Sequence, residues 1–139
     1  MKIIHLSDLH LATPGLALFG SRPDERLDAL VDSILRDHAD ADFCLLTGDL
    51  ADTGSATAYA RLAETLARLP MPSYLLPGNH DDRAALCQQF PAIGRDQAGF
   101  VQAAIETPLG RFLLLDTLKS SFPSGEYCAT RRAWLANQL

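Results

Sequence analysis

The sequence predicts an α/β fold, a mostly parallel sheet with flanking helices. Two observations carry that reading. Three short apolar runs, at residues 2–7, 43–47 and 73–76, each stop at a cluster of polar residues, and longer segments with helical spacing of apolar residues lie between them. The resulting βαβαβ order calls for right-handed crossovers, which set the strands parallel and lay the helices on the sheet. The 139 residues contain no internal repeat, low-complexity tract or interdomain linker, and read as a single domain over 1–139.

In chain order, residues 2–7 are rich in Ile and Leu and form a buried strand, broken by Asp8. A loop with Thr13-Pro14-Gly15 and Gly20-Ser21-Arg22-Pro23 follows. Leu27, Leu30, Val31, Ile34 and Leu35 then recur at helical spacing and predict a helix over 23–38. Pro23, Asp24 and Glu25 suit its first turn, where a missing N–H and negative charge are both tolerated. Residues 43–47 are the second strand, ended by Gly48-Asp49. Tyr59, Leu62, Ala63 and Leu66 mark a helix over 55–69, closed by Pro70 and Pro72. Residues 73–76 are the third strand, ended by Pro77-Gly78, and a short helix is expected over 83–90. Residues 100–106 and 111–115 form a hairpin about Thr107-Pro108-Leu109-Gly110. A last helical pattern covers 130–139, with Trp134, Leu135 and Leu139 on one face, so that the chain would end inside that helix.

Composition narrows the function. The net charge is −5, with no basic face to recommend a nucleic-acid partner. Cys44, Cys87 and Cys128 are odd in number and widely spaced, which argues against a disulfide framework or a zinc ribbon; Cys44, in the apolar run 43–46, reads as a buried reduced thiol. The first residues show no leader peptide, and no apolar stretch approaches the roughly 18 residues that span a bilayer. A cytoplasmic protein without a membrane partner is the expectation.

The chemistry lies where the strands stop. The first ends Ser7-Asp8-Leu9-His10, the second Gly48-Asp49-Leu50-Ala51-Asp52, the third Gly78-Asn79-His80-Asp81. Loops beyond the carboxyl ends of parallel strands converge on one crevice, so these clusters should meet in space. Carboxylates and imidazoles suit Mn, Fe, Co or Zn, and a two-metal site needs an oxygen able to bridge both ions. Asp8 and His10 reach one ion only if the backbone turns between them. Asp49 follows a glycine that permits a sharp turn, and is the natural bridge. Asn79 offers a neutral oxygen to a second ion, while His80 points towards the substrate.

Together the three strand ends resemble the pattern of the calcineurin-like metallophosphoesterase superfamily: D-x-H, then G-D-x-x-D, then G-N-H-[DE]. The opening residues 4–10 and the run 75–81 are most similar to the branch of bacterial class III cyclic-nucleotide phosphodiesterases and glycerophosphodiesterases. Residues 113–117 and the Trp134-Leu135 helix fit that branch too, so the resemblance covers essentially the whole chain. It implies the N-terminal half of an αββα sandwich and a centre of two divalent ions. Asp8 and His10 would bind the first ion, Asp49 would bridge, and Asn79 would bind the second. His80 would be the catalytic group, contacting the phosphate of a small phosphodiester or helping its leaving oxygen. The nucleophile would be a hydroxide held by the metals.

The family pattern continues with a further ligand His and then G-H-x-H, whereas the four histidines of this sequence end at His80. The expectation is therefore an incomplete, truncated domain that binds at most one ion firmly, hydrolyses diesters weakly, and self-associates through an apolar face. Two alternatives stand beside it: a catalytically inactive fragment serving as a structural or binding module, and a phosphomonoesterase or nucleotide pyrophosphatase of the same superfamily. Other polar residues take plainer readings. His5 is packed along its strand, and His38 complements a helix dipole. Asp52 caps the next helix or supports the site, Asp81 and Asp82 cap the helix after them, Asp116 at the end of the hairpin strand could face the site, and Arg22 is solvated.

Overall fold

The computed structural model describes residues 1–139. Its sheet is built from β1 (Ile3–Leu6), β2 (Phe43–Thr47) and β3 (Ser73–Leu76), in the order β1-β2-β3 with both pairings parallel. In register, Leu6 stands opposite Leu46 and Leu46 opposite Leu75, so three leucines line up on one face. The crossovers are α1 (Pro23–Asp37) and α2 (Ala56–Leu66), and α3 (Arg83–Gln89) follows β3. A separate antiparallel hairpin pairs β4 (Ala103–Thr107) with β5 (Gly110–Leu114), and α4 (Ala129–Ala136) comes last.

Local chemistry sets the helix starts. Pro23 opens α1 with Asp24 and Glu25 in its first turn, and Leu27, Val31 and Ile34 form its buried stripe. The Ser55 hydroxyl caps α2 by accepting from the Ala58 N–H, and the Asp82 carboxylate caps α3 by accepting from the Ala85 N–H. The predicted capping role of Asp52 is therefore filled by Ser55, and of the pair Asp81 and Asp82 only Asp82 caps.

One core joins the sheet to these helices: Leu6, Leu46 and Leu75 pack with Leu27, Val31, Ile34, Tyr59, Leu62 and Leu86. Cys44 is fully buried there as a free thiol, and burial pushes its pKa up to about 11. The opposite face of the sheet is covered in part by β5, whose Phe112 meets Phe43 edge-on at 5.4 Å between ring centroids. His5 faces outward rather than into packing, and its Nε2 lies 2.7 Å from Thr47 Oγ1 on the neighbouring strand. Alternation along β1 decides this: Leu6 takes the core side and His5 the other.

The terminal helix is shorter than the sequence suggested. It ends at Ala136, with Asn137 donating back to the Ala133 carbonyl, and Leu139 is exposed. Trp134 and Leu135 are half-buried on α4, Leu139 lies beyond its end, and the only fully buried residue of the helix is Arg131. Asp116, fully buried, receives Arg83 in a two-pronged pair (Nε 2.7 Å, Nη2 3.0 Å) and the Val101 and Leu118 N–H groups. Asp116, which from the sequence could have faced the site, is instead taken up by these partners. No helix is long and apolar enough to cross a membrane.

Candidate metal centre

Beyond β1 and β2 the two chains do not diverge. Asp8 N–H donates to the Gly48 carbonyl (3.1 Å), His10 N–H to that of Asp49 (2.9 Å) and Leu11 N–H to that of Leu50 (3.0 Å), and Asp52 N–H returns to the Leu11 carbonyl (3.0 Å). This zipper carries the first two polar clusters side by side past the end of the sheet. It also forces them out of extended geometry: Asp8 (φ 57°), His10 (φ 45°) and Asp49 (φ 50°) all adopt the left-handed region. Side chains other than glycine occupy that region at a cost, and such residues gather at functional sites. The turn required between Asp8 and His10 is present, as is the one at Gly48 (φ 99°) before Asp49.

The third cluster is brought in by glycine. A Cβ on Gly78 would lie 2.2 Å from Asp49 Oδ1 and 2.4 Å from Asp49 N, and one on Gly48 would lie 2.9 Å from Gly78 Cα. The Gly48-Asp49 turn and the Gly78-Asn79 loop therefore touch backbone to backbone, and only hydrogen fits between them. His80 N–H donates to Asp49 Oδ1 at 3.1 Å across the same junction.

A buried carboxylate clamps the arrangement. Asp81 accepts from the Leu50 N–H (3.0 Å), the Ala51 N–H (2.9 Å), the Gly78 N–H (2.8 Å) and the Tyr59 hydroxyl (2.9 Å). The Tyr59 oxygen in turn accepts from the Asp82 N–H at 3.0 Å. Burial, with Asp81 alongside, drives the Tyr59 phenol pKa far up, so it stays a donor. Asp81 thus binds the second cluster to the third rather than capping a helix. Its sequence signal is the neighbour: Asp82, next to Arg83, already fills the cap position.

Two groups of donor atoms result, in each of which all atoms lie within 4.8 Å of one another: Asp8, His10 and Asp49, and His10, Asp52 and His80. His10 belongs to both. Its Nε2 lies 3.8 Å from Asp49 Oδ2 and its Nδ1 3.4 Å from Asp52 Oδ1. The His10 and His80 rings meet edge-on with centroids 4.7 Å apart. His80 Nδ1 stands 2.9 Å from the Asp52 carbonyl oxygen, which accepts its proton and leaves Nε2 free. That carbonyl, aided by Asp49 and Asp52, raises the His80 pKa. Asn79 lies exposed in the loop between Gly78 and His80.

The structure thus brings together Asp8, His10, Asp49 and His80, and adds Asp52 beside both imidazoles. Arg22 is instead tied to Glu25 at 3.1 Å. The donors are chemically suited to divalent first-row ions, since hard carboxylate oxygens and borderline imidazole nitrogens converge on one small, part-exposed volume.

A parallel sheet with oxygen and imidazole donors at its carboxyl edge is an arrangement suited to divalent-metal chemistry. The family model for calcineurin-like phosphoesterases matches residues 1–128, and the chain belongs to that family. Across its full length it is 41% identical to a probable cyclic nucleotide phosphodiesterase of Rhodopseudomonas palustris, covering 52% of that protein. It is 31% identical to the 3′,5′-cyclic adenosine monophosphate phosphodiesterase CpdA of Escherichia coli K12, covering 50% of it. It is also 30% identical to the glycerophosphodiester phosphodiesterase GpdQ of Enterobacter lignolyticus, covering 51%. The chain spans about half the length of these curated relatives. Family members use divalent metal ions.

Proposed function

We propose that this chain supplies the strand-end ligands of a metal-dependent phosphodiesterase acting on small diesters of the cyclic-nucleotide or glycerophosphodiester type. One observation carries the reading: Asp8, His10 and Asp49, three side chains from two strand ends, converge while all three hold a left-handed backbone. The hydrogen bonds between the two strand ends hold these conformations, and donors held in strained backbone at one point are a recurrent mark of a ligand site. The relatives' names support the diester class.

In this reading Asp8 and His10 would hold one ion, Asp49 would be shared between two, and Asn79 would serve the second. When bound, the ions supply Lewis acidity and make a water nucleophilic near neutral pH. The chain's own residues do the rest. Asp52 fixes both imidazoles, through its carboxylate at His10 and its carbonyl at His80. His80 then presents Nε2 to the phosphoryl oxygens, where a raised pKa favours the charged, donating form. Gly78 and Asp81 hold the loop that carries Asn79 and His80.

With these donors alone, one ion is held firmly and turnover is weak, because a second ion would have only Asp49 and Asn79 from this set. Titration calorimetry with Mn²⁺ should give one tight site per chain, lost in Asp49→Asn. With Mn²⁺ present, bis-p-nitrophenyl phosphate should be cleaved slowly and the monoester p-nitrophenyl phosphate more slowly still. Faster monoester cleavage would move the reading to a phosphomonoesterase. Absence of any bound ion would move it to a non-catalytic module.

A further inference from the structure

Each of the three converging donors is tied to the protein through one atom and free at another. Asp49 accepts from the His80 N–H on Oδ1 (3.1 Å) and turns Oδ2 towards His10 Nε2 (3.8 Å). His10 sets Nδ1 beside Asp52 Oδ1 (3.4 Å), so Nε2 is the nitrogen that faces Asp49. Asp8 completes the pattern through its neighbour in sequence: the Ser7 hydroxyl donates to Asp8 Oδ2. That is the only hydrogen bond either side chain makes, and it leaves Asp8 Oδ1 free. In an extended strand successive side chains point to opposite faces, and residues 7 and 8 could not meet. The left-handed turn at Asp8 (φ 57°) reverses this and brings its carboxylate back to Ser7, just past the end of β1. Both residues are exposed, so the hydroxyl, and not packing, sets where the Asp8 carboxylate points.

We propose that Ser7 is a positioning residue of the metal centre: its hydroxyl holds Oδ2 of Asp8 and keeps Oδ1 as the oxygen offered to a cation. The role rests on the metal-dependent phosphodiesterase reading above, since it requires Asp8 to be a ligand. Ser7 itself touches neither ion nor phosphate. Its effect is preorganisation: a carboxylate already oriented loses less conformational freedom when it binds. Hydrogen bonds behind metal ligands act in this way, and losing one weakens metal affinity by about 10–100-fold. The three donors then share one design. Asp49 is held by the His80 N–H, His10 stands against Asp52, and Asp8 is held by Ser7, each leaving one atom for the common point.

Titration calorimetry with Mn²⁺ and urea unfolding of the metal-free chain, run on the same variants, separate positioning from structure. Ser7→Ala should bind Mn²⁺ about tenfold or more weakly than the parent chain. Its metal-free urea midpoint should match the parent's, because an exposed hydroxyl adds little to the fold. Ser7→Thr keeps the hydroxyl donor and should bind Mn²⁺ within about threefold of the parent. Equal Mn²⁺ affinity in Ser7→Ala and the parent overturns the proposal and leaves the phosphodiesterase reading standing. So does a Ser7→Thr chain as weak as Ser7→Ala, or an affinity loss accompanied by a fall in the metal-free midpoint. A parent chain that binds no Mn²⁺ overturns the phosphodiesterase reading, and this role of Ser7 with it.

Discussion

Asp8, His10 and Asp49 each hold a backbone conformation that costs about 1–3 kcal/mol for a residue with a side chain. The surrounding hydrogen bonds impose it: the N–H groups of Asp8 and His10 are taken by the carbonyls of Gly48 and Asp49, so the donors cannot relax without unzipping both strand ends. Gly78 is the complementary residue, with no room for a methyl group against Asp49. Gly78→Ala should therefore act at a distance from its own side chain. We expect a loss of about 1–3 kcal/mol in denaturant unfolding, the scale of overpacking, and at least tenfold weaker Mn²⁺ binding by calorimetry (roughly 1.4 kcal/mol). Stability loss with unchanged metal affinity would show that the Gly78 contact is structural only. His80 allows a second test. Its pKa is raised by the Asp52 carbonyl first and by Asp49 and Asp52 charge after it. The sign follows directly: a group whose folded pKa exceeds its unfolded value adds stability below the ordinary histidine range and loses it as pH rises through the raised pKa. In the chelated chain, the His80 ring protons should titrate by NMR above the ordinary histidine midpoint. Asp52→Asn should leave an upward shift, because the main-chain carbonyl remains.

At the scale of elements, the carboxylate of Asp81 makes the most bonds across the junction between the β2–α2 and β3–α3 connections. Asp81 takes three main-chain N–H groups and the Tyr59 hydroxyl, so its removal strands four buried or part-buried donors at once. Asp81→Ala should cost about 3 kcal/mol or more in urea unfolding, since each unpaired buried donor costs about 1–3 kcal/mol. Tyr59→Phe, which leaves the carboxylate its three N–H bonds but also strands the Asp82 N–H, should cost about 1–2 kcal/mol. Equal losses in the two variants would place the energy in the tyrosine instead. Asp82 shows how narrowly such roles divide: one residue along, it accepts from the Ala85 N–H and starts α3. A run of two aspartates after Asn79-His80 reads in sequence as a single cap, and only the fold separates a cap from a clamp.

For the whole molecule, the sheet and its crossovers form one unit, in which α1 and α2 bury the leucines of all three strands. The hairpin and α4 form a second set of contacts around Asp116, which reaches Arg83 on α3 and lies beside Arg131 on α4. Metal binding should stabilise the first unit, because the donors at its strand ends converge only when it is folded. Saturating Mn²⁺ at about a hundred times its Kd should raise the unfolding free energy by about 2.7 kcal/mol, and Asp49→Asn should remove that gain. A chain whose melting is indifferent to Mn²⁺ would argue that the converged donors are not a metal site.

The amino-acid sequence by itself determined the order of elements and the chemistry at their ends. Periods of apolar residues are local and strong, so β2 and β3 fall at the predicted residues and α1 within one. The same locality made the polar clusters at the three strand ends legible, and of the residues singled out there the structure brings Asp8, His10, Asp49 and His80 together. What the tertiary structure alone decided are relations across the chain. Asp52 turns to His10 and His80 because the zipper of 8–11 against 48–52 places it there. His5 faces outward because Leu6 takes the core side of β1. Arg131 is buried because Asp116 and Phe100, distant in sequence, surround it. Helical and strand periods report which face of an element is apolar, but a polar residue's role depends on which partner the fold brings to it, and that partner is not nearby in the sequence.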